Sequence, residues 1–235
     1  MSRVFPDNWI GSLWDDYDLC CHDKTIWRIG EKISERSTLM LGCPRTAEAQ
    51  AVYQCKNNER AIIKVRMQVP SEYPPSLNPS VRASLAQQRP SGWALQEIQS
   101  LRYFNAKKCT VVPKLLNVVR SWQSEPDMPI PTGYLVFIVM EKVPGVPLVK
   151  FWEYDCPKRD KIRASFCRSL TELLNLGGRP RDCKLDNLIY DERTDKCYFV
   201  DFEDIEVKEN SAVQFSRDHY FIWGLAKNIN CQDVY

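Results

Sequence analysis

The feature that most constrains this sequence is a change of character at residues 144–147, where it reads Pro-Gly-Val-Pro. Proline supplies no backbone amide donor and glycine weakens regular structure, so this stretch predicts a turn-rich connector. Runs of β-forming residues dominate before the connector, whereas a long amphipathic helix pattern follows it. The two halves therefore differ in class, and we expect an α+β chain with two lobes.

The half before the connector predicts a β-rich lobe with one helix. Residues 51–55 and 61–65 are rich in β-forming side chains and flank an Asn-rich turn, which is the pattern of a hairpin. Residues 111–119 and 134–140 predict two further strands. Residues 91–105 predict a helix, because their apolar side chains recur at the spacing of one helix face.

The half after the connector predicts a helix that leads into a second hairpin. Residues 159–176 carry one apolar stripe at helical spacing, and the pair Gly177-Gly178 ends the pattern. Residues 188–190 and 197–200 are short apolar runs on either side of a polar turn, so they predict the hairpin. This half is therefore expected to be a shortened, mostly helical lobe.

These patterns divide the chain into three segments. Residues 1–36 contain tryptophans without a clear period, and we expect them to form an N-terminal extension whose indoles serve as packing anchors. Residues 37–143 form the predicted N-lobe, a β-sheet with one helix. Residues 144–235 form the predicted minimal C-lobe.

Composition argues against two kinds of partner. The 235 residues include 32 basic and 30 acidic side chains, a net charge of +2, which gives no electrostatic basis for a nucleic-acid partner. No apolar run approaches the about 20 residues that a membrane span needs. The N-terminus also lacks the apolar core of a signal peptide. We therefore expect no nucleic-acid partner, no membrane partner, and a cytoplasmic or nuclear location.

The ten cysteines are not arranged as a zinc or disulfide framework. No C-x-x-C pair occurs, and the only histidines are His22 and His219, so zinc-finger spacing is absent. Without a secretory signal, we expect reduced thiols that behave as small apolar side chains. The alternative is one incidental disulfide, for example through the adjacent Cys20 and Cys21.

The segment with the most chemical content is residues 181–187, which read Arg-Asp-Cys-Lys-Leu-Asp-Asn between the predicted helix end and the next strand. This position predicts that Asp182, Lys184 and Asn187 lie on a loop at the mouth of a cleft. Asp201 directly follows an apolar strand, where a carboxylate is costly unless it is paired or bound to a metal. The alternative for Asp182 and Asn187 is an ordinary role as turn residues.

These motifs resemble the catalytic machinery of the protein-kinase-like superfamily, which includes eukaryotic protein kinases and the aminoglycoside and choline phosphotransferases. The loop motif H-R-D-x-K-x-x-N is similar to residues 180–187, and the motif D-F-G is similar to residues 201–203. The strand motif V-A-I-K is similar to residues 61–64, and the glutamate expected on the next helix is Glu97. The resemblance covers residues 37–205 and implies a bilobal protein-kinase-like fold.

The resemblance also implies a nucleotide site. Lys64 would reach the α- and β-phosphates of ATP, and Glu97 would hold the lysine ammonium in place. Glu141 and Val143 fall where the family's hinge binds adenine through backbone groups. The alternative for Lys64 is a solvated charge on a strand edge, and the alternative for Glu97 is an exposed helix face.

The remaining motifs imply the transfer chemistry. Asp182 would orient the acceptor hydroxyl and accept its proton, and Lys184 would steady the γ-phosphate. Asn187 and Asp201 would bind Mg²⁺, which prefers hard oxygen ligands. Glu203 is either a second metal ligand or a solvated acid.

The sequence departs from the family's pattern at the glycine-rich loop. That loop is expected within residues 41–50, but the positions of its glycines hold Arg45, Ala47 and Gln50. Backbone amides approach phosphates less closely where side chains replace glycine. Pro180 also stands in place of the histidine of the loop motif.

We therefore expect an ATP- and Mg²⁺-dependent phosphotransferase that moves the γ-phosphate of ATP to a hydroxyl acceptor. The acceptor is either a protein Ser/Thr side chain or a small molecule. The competing hypothesis is a pseudokinase, a binding or scaffold module whose site no longer turns over. The retained charged residues argue for the enzyme, and the missing glycines argue for the scaffold.

Overall fold

The computed structural model describes residues 6–40, 46–209 and 213–227 of the chain. The predicted α+β class is confirmed, because one part of the chain is built on a large sheet and another on helices with small sheets. Contacts between residues divide the chain into two compact units. The first unit comprises Met1–Leu95 and Leu115–Lys142, and the second comprises Gln96–Lys114 and Val143–Tyr235.

Six antiparallel strands form the sheet of the first unit: β1 (Asp18–Cys20), β2 (Ile26–Met40), β3 (Thr46–Cys55), β4 (Ala61–Val69), β5 (Leu115–Trp122) and β6 (Tyr134–Glu141). Their order across the sheet is β1-β2-β3-β4-β6-β5. Two helices, α1 (Pro79–Ala83) and α2 (Gly92–Ala106), lie between β4 and β5 in the sequence. The helix predicted over residues 91–105 is therefore confirmed as α2.

The predicted hairpin of the first unit is formed by β3 and β4, with Val52 opposite Lys64. Successive side chains of a strand point to opposite faces of the sheet. The alanines of β3 alternate, so Ala47, Ala49 and Ala51 share one face, and all three are buried in the core of this unit. The opposite face carries the Lys64 side chain.

The N-terminal segment belongs to this core. Ile10 and Trp14 are buried, and the ring of Trp14 packs edge-on against Phe137 with the ring centroids 5.1 Å apart. Strand β2 already begins at Ile26, within the residues 1–36 that the sequence assigns to an extension. Most side chains of β2 are exposed or half-buried, so no alternation of apolar residues marks where this strand starts.

Strand β5 begins at Leu115, later than the predicted residue 111. Val111 is buried, but its carbonyl oxygen accepts a hydrogen bond from the amide of Phe199 at 2.9 Å. Residues 111–114 therefore belong to the second unit, although their apolar side chains look like the start of a strand.

The second unit contains the long helix α3 (Cys156–Asn175). This helix begins earlier than the predicted residue 159, because the Asp155 side chain caps it by accepting a hydrogen bond from the Lys158 amide at 2.9 Å. Gly177 follows its end with a φ of +81°, and a Cβ there would lie 2.4 Å from the carbonyl oxygen of Lys208. Only glycine fits this approach without strain.

The other elements of the second unit are short: β7 (Val146–Pro147), a 3₁₀ helix (Leu148–Glu153), β8 (Gly178–Pro180), a second 3₁₀ helix (Leu185–Asn187), β9 (Leu188–Asp191), β10 (Lys196–Phe199), β11 (Ile205–Val207) and α4 (Asp218–Ile222). Strands β9 and β10 form the second predicted hairpin, and β7 pairs with β9. Strand β8 pairs with β11 in a separate ladder. Residues 181–187 of the loop motif lie between β8 and β9.

Two further observations concern the thiols and the helices. The eight cysteines within the described residues carry free thiols, and Cys43 and Cys231 lie outside those residues. Across residues 6–40, 46–209 and 213–227, no helix is both long enough and apolar enough to cross a membrane.

Candidate active site

The residues of the loop motif lie between β8 and β9 in the second unit, where the second 3₁₀ helix turns the chain back. The ammonium Nζ of Lys184 donates a hydrogen bond to Asp182 Oδ2 at 2.6 Å. Both side chains are about two-fifths exposed, so this pair is open to solvent and to a ligand. The structure therefore brings together the two residues that the sequence singles out as catalytic.

Asn187 fixes the position of Asp182 from the buried side of the loop. Its side-chain amide donates to the carbonyl oxygen of Asp182 at 2.9 Å and to Asp182 Oδ2 at 3.2 Å. The backbone carbonyl oxygen of Asn187 accepts a hydrogen bond from the Val200 amide at 3.0 Å. Asn187, expected as a metal ligand, thus contacts the predicted base directly and links the loop to the end of β10.

The ladder between β8 and β11 connects the loop to the segment after Asp201. The Arg181 amide donates to the carbonyl oxygen of Asp204 at 3.0 Å, and its guanidinium lies 3.3 Å from the Glu206 carboxylate. Lys208 lies 2.8 Å from the other oxygen of Glu206. These two cations, with the Lys208 hydrogen bond as the larger cause, lower the pKa of Glu206. Glu206 is therefore an ionised bridge between two basic side chains.

Three carboxylates gather at the start of that segment. One ligand oxygen from each of Glu97, Asp201 and Glu203 lies within 4.8 Å of the other two, a spacing that suits a shared metal ion. Glu97 is almost fully buried, whereas Asp201 and Glu203 are half-buried. Asp201 has a φ of +66°, which turns the chain sharply after β10. The structure thus groups Glu203 with Asp201, although the sequence left Glu203 undecided between a ligand and a solvated acid.

Glu97 was expected to hold the ammonium of Lys64. The structure places it near Asp201 and Glu203, which the sequence did not predict. It lies on α2, whose amphipathic pattern places it on the buried side with Ile98 and Leu101. A buried carboxylate is costly unless charges or hydrogen bonds compensate it. With the two nearby acids, Glu97 could contribute a carboxylate oxygen to a bound cation.

The loop also contains a thiol, Cys183, which the sequence reading left without a role. Burial is the main cause that raises its pKa to about 11, and the neighbouring Asp182 and Asp204 carboxylates add to the shift. Its Sγ donates weakly to the carbonyl oxygen of Pro180 at 3.3 Å. Cys183 is therefore a protonated structural thiol near neutral pH and not a nucleophile.

In the first unit, Lys64 lies in the middle of β4 and is 4 % exposed, so it is not the solvated edge charge of the alternative reading. Beside it on the same face of β4 is Arg66, which is fully buried. Arg66 Nη1 donates to Glu48 Oε1 at 2.5 Å, and the hydroxyl of Tyr134 donates to Glu48 Oε2 at 2.9 Å. We call these three side chains the Glu48–Arg66–Tyr134 network.

Sequence analysis missed this network. The signal was present in the alternation Lys64-x-Arg66-x-Gln68, which places three polar residues on one face of an otherwise apolar strand. The partner Glu48 could not be identified, because the predicted strand covered only residues 51–55, whereas β3 begins at Thr46.

The expected glycine-rich loop is partly outside the described residues. Arg45 and the rest of residues 41–45 lie there, whereas residues 46–50 are the beginning of β3. Ala47 is fully buried, and Gln50 pairs opposite Arg66. The expectation that the loop extends to residue 50 is therefore wrong, because these residues continue the ladder with β4.

The two residues expected at the adenine hinge lie at a unit boundary. Glu141 is the last residue of β6 and pairs with Ala61 in the first unit, whereas Val143 is buried and belongs to the second unit. Between them, the Lys142 amide donates to the carbonyl oxygen of Arg60 at 2.7 Å.

Comparisons with known proteins add distant neighbours. No protein-family model and no curated protein matches the chain. One structure of WbdD aligns at 20% identity and a TM-score of 0.45, over 69% of this chain and 31% of that chain. Another, described as the bifunctional kinase-methyltransferase WbdD, aligns at 19% identity and a TM-score of 0.43, over 69% and 31%. The kinase PK-1 of Cydia pomonella granulovirus aligns at 16% identity and a TM-score of 0.42, over 78% and 53%.

This chain thus spans about a third of the length of WbdD and about half of the length of PK-1. The order of the elements gives the fold without those alignments. The lysine-bearing strand β4 is followed by the glutamate-bearing helix α2, β6 lies between β4 and β5, and the loop motif precedes the β9–β10 hairpin that leads to Asp201. The chain has a protein-kinase-like fold.

Proposed function

We propose that this protein is an ATP- and Mg²⁺-dependent phosphotransferase that moves the γ-phosphate of ATP to a hydroxyl acceptor. The observation that carries the proposal is the contact of Asp182 with Lys184 and Asn187 on one half-exposed loop. An exposed carboxylate beside an exposed cation, with a buried amide that positions the carboxylate, suits phosphorylation of a hydroxyl.

The roles follow from the chemistry of each side chain. Asp182 accepts the proton of the acceptor hydroxyl as the hydroxyl oxygen bonds to the γ-phosphorus, and the bond from that phosphorus to the β-phosphate oxygen breaks to release ADP. Lys184 neutralises charge on the transferred group. Asn187 keeps Asp182 oriented through its two hydrogen bonds.

The residues present fit a divalent metal. Asp201, Glu203 and the buried Glu97 offer carboxylate oxygens within 4.8 Å of one another, and such hard ligands suit Mg²⁺. Bound there, the ion would supply charge neutralisation for the phosphates. Lys64 is the residue of the first unit that we assign to the phosphates of the nucleotide, with Glu141 and Val143 assigned to the base.

The test is a transfer assay with radiolabelled ATP and a panel of hydroxylated small molecules and Ser/Thr peptides. Asp182→Asn should lower transfer about 10²- to 10⁴-fold, the usual contribution of general-base catalysis, while Mg²⁺-ATP binding persists. Asp186→Asn is the matched control, because Asp186 is an exposed acid in the same loop. If Asp182→Asn transferred phosphate as fast as Asp186→Asn, the assignment of the base would be wrong.

A second function, a scaffold that binds without turnover, is favoured by one observation. Residues 46–50 continue a regular strand where the family's glycines are expected, so side chains stand where phosphate-binding amides would lie. Isothermal titration of ATP with and without Mg²⁺ separates the two functions. Metal-dependent binding that Asp201→Asn abolishes supports the enzyme, and no binding in either condition supports the scaffold.

A further inference from the structure

The first 3₁₀ helix of the second unit carries an indole that is flanked by two cations. The guanidinium carbon of Arg159 lies 5.1 Å from the ring centroid of Trp152, and the ammonium Nζ of Lys227 lies 4.8 Å from it. Both cations thus contact the same ring. We call these three side chains the Trp152 cluster.

Neither cation of the cluster has a carboxylate partner among the described residues. Arg159 donates only to Cys156 Sγ at 3.0 Å, a weak acceptor, and its Nε–H is buried without an acceptor. Lys227 is exposed, and its one contact within the described part of the chain is the indole. The cluster therefore carries two positive charges that no described side chain neutralises.

The acids close to the cluster in sequence are each committed elsewhere. Glu153 lies 3.7 Å from the ammonium of Lys150, and Asp155 caps α3 at the Lys158 amide. Asp160 accepts a hydrogen bond from Arg163 at 2.6 Å. Glu153 and Asp160 are thus ion-paired with other cations, and Asp155 keeps its negative charge while it caps α3.

Hydrogen bonds hold the indole of the cluster and the backbone that leads to Lys227. Trp152 Nε1 donates to the carbonyl oxygen of Gly224 at 3.1 Å, and Arg163 Nε donates to the carbonyl oxygen of Leu225 at 2.8 Å. These bonds tie the segment that carries Lys227 to the indole and to α3. Preorganised cations bind an anion with less loss of side-chain entropy than free ones do.

Backbone that contacts the cluster packs against the second 3₁₀ helix of the second unit. An added Cβ on Gly224 would be 3.5 Å from the Cγ of Leu185, so the backbone that accepts from Trp152 packs against the loop. Leu185 is three residues from Asp182 in the sequence. The indole is thus anchored to backbone that packs against the second 3₁₀ helix, which follows Asp182 in the chain.

We propose that the Trp152 cluster is an anion subsite that takes a phosphate group carried by the small-molecule acceptor. A phosphate monoester has a charge of about −1.5 to −2 near pH 7, which matches the two unneutralised cations. Arginine and lysine both bind phosphate through charge-assisted hydrogen bonds. The assignment of this phosphate to the acceptor rests on the proposed phosphotransferase function.

The first test is isothermal titration of the full chain with inorganic phosphate at low ionic strength without metal. We expect the double variant Arg159→Gln/Lys227→Gln to weaken phosphate binding at least about tenfold, because two charge-assisted hydrogen bonds are lost. Lys161→Gln is the matched control, since Lys161 is exposed on α3 and lies about 200° around the helix from Arg159. Near-UV circular dichroism checks the fold, and the single variant Lys227→Gln serves if the double variant does not fold.

Phosphate bound at the nucleotide site is recognised separately, because Lys64→Ala should remove it and the cluster variants should not. Equal affinity of the wild type and the double variant would overturn the subsite. So would an equal loss in Lys161→Gln, which would indicate general surface electrostatics.

The second test compares transfer to glycerol 3-phosphate with transfer to glycerol. Lys227→Gln should raise KM for the phosphorylated acceptor about tenfold and change KM for glycerol little, whereas a structural role would alter both. Equal effects on both acceptors would overturn the acceptor assignment. No transfer to either acceptor by the wild type would overturn the proposed function, and the phosphate titration would still decide whether the anion site exists.

Discussion

The Glu48–Arg66–Tyr134 network makes a sharp stability prediction. Arg66 is fully buried and Glu48 is 3 % exposed, so Glu48→Gln removes a buried carboxylate charge that the Arg66 guanidinium contacts. Removing one partner of a buried ion pair costs about 3–5 kcal/mol of unfolding free energy. For a domain of this size that corresponds to a fall in Tm of roughly 6–20 °C, at about 2–4 °C per kcal/mol.

A double variant separates the buried charge from simple packing loss. Glu48→Leu/Arg66→Met removes both charges and keeps similar volume, so it should recover most of the stability lost in Glu48→Gln. Glu59→Gln is the control, because Glu59 is exposed in the β3–β4 turn and should change stability by less than about 0.5 kcal/mol.

The assay is thermal and urea unfolding followed by far-UV circular dichroism, with all four proteins under the same buffer. Glu48→Gln that unfolds within about 1 kcal/mol of the wild type would refute the reasoning. A double variant less stable than Glu48→Gln would refute it as well, since the cost would then lie in lost shape and not in the lost ion pair.

Three further predictions concern the second unit. Gly145→Ala should destabilise by about 1–3 kcal/mol in urea unfolding, because Gly145 has a φ of +112° and a Cβ there would lie 2.3 Å from a backbone oxygen; a neutral effect would contradict this backbone geometry. Cys156 is exposed and should react with a thiol reagent at pH 8 in the native protein, whereas Cys183, with a pKa of about 11, should react only after unfolding; mass spectrometry of the labelled sites decides. Glu206→Gln should reduce the loss of unfolding free energy at acid pH. The folded-state pKa of Glu206 is lowered, so its stabilisation is present above about pH 4.5 and is lost as pH falls through the folded pKa. If the wild type and Glu206→Gln lost stability equally as pH falls, the ion pairs of Glu206 with Arg181 and Lys208 would contribute nothing.

The parts of the fold that the sequence predicted are those with strong local patterns. The β9–β10 hairpin and α2 were recognised because an apolar period and a turn signal lie within a few residues of each other. The start of β2 was not recognised, since most of its side chains are exposed or half-buried and no period marks the strand. Its place in the sheet depends on pairing with β3, which the local sequence does not encode.

The same distinction holds for the candidate site. Asp182, Lys184 and Asn187 lie within six residues of chain, so their spacing alone predicted that they meet, and the hydrogen bonds among them follow from that loop. The approach of Glu97 to Asp201 depends on how α2 packs, and sequence spacing could not supply it.

The Trp152 cluster shows why such long-range groupings carry information that motifs lack. Arg159 and Lys227 are separated by most of the second unit in sequence, and each alone is an ordinary basic residue. They meet at one indole because hydrogen bonds from Trp152 and Arg163 hold the Gly224 and Leu225 carbonyls against the helix. The loop motif predicts how a hydroxyl would be phosphorylated, since that chemistry needs only a few adjacent residues. We expect the choice of hydroxyl to depend on the cations that tertiary packing places at Trp152, so acceptor specificity should follow the fold around Trp152 and not the motif itself.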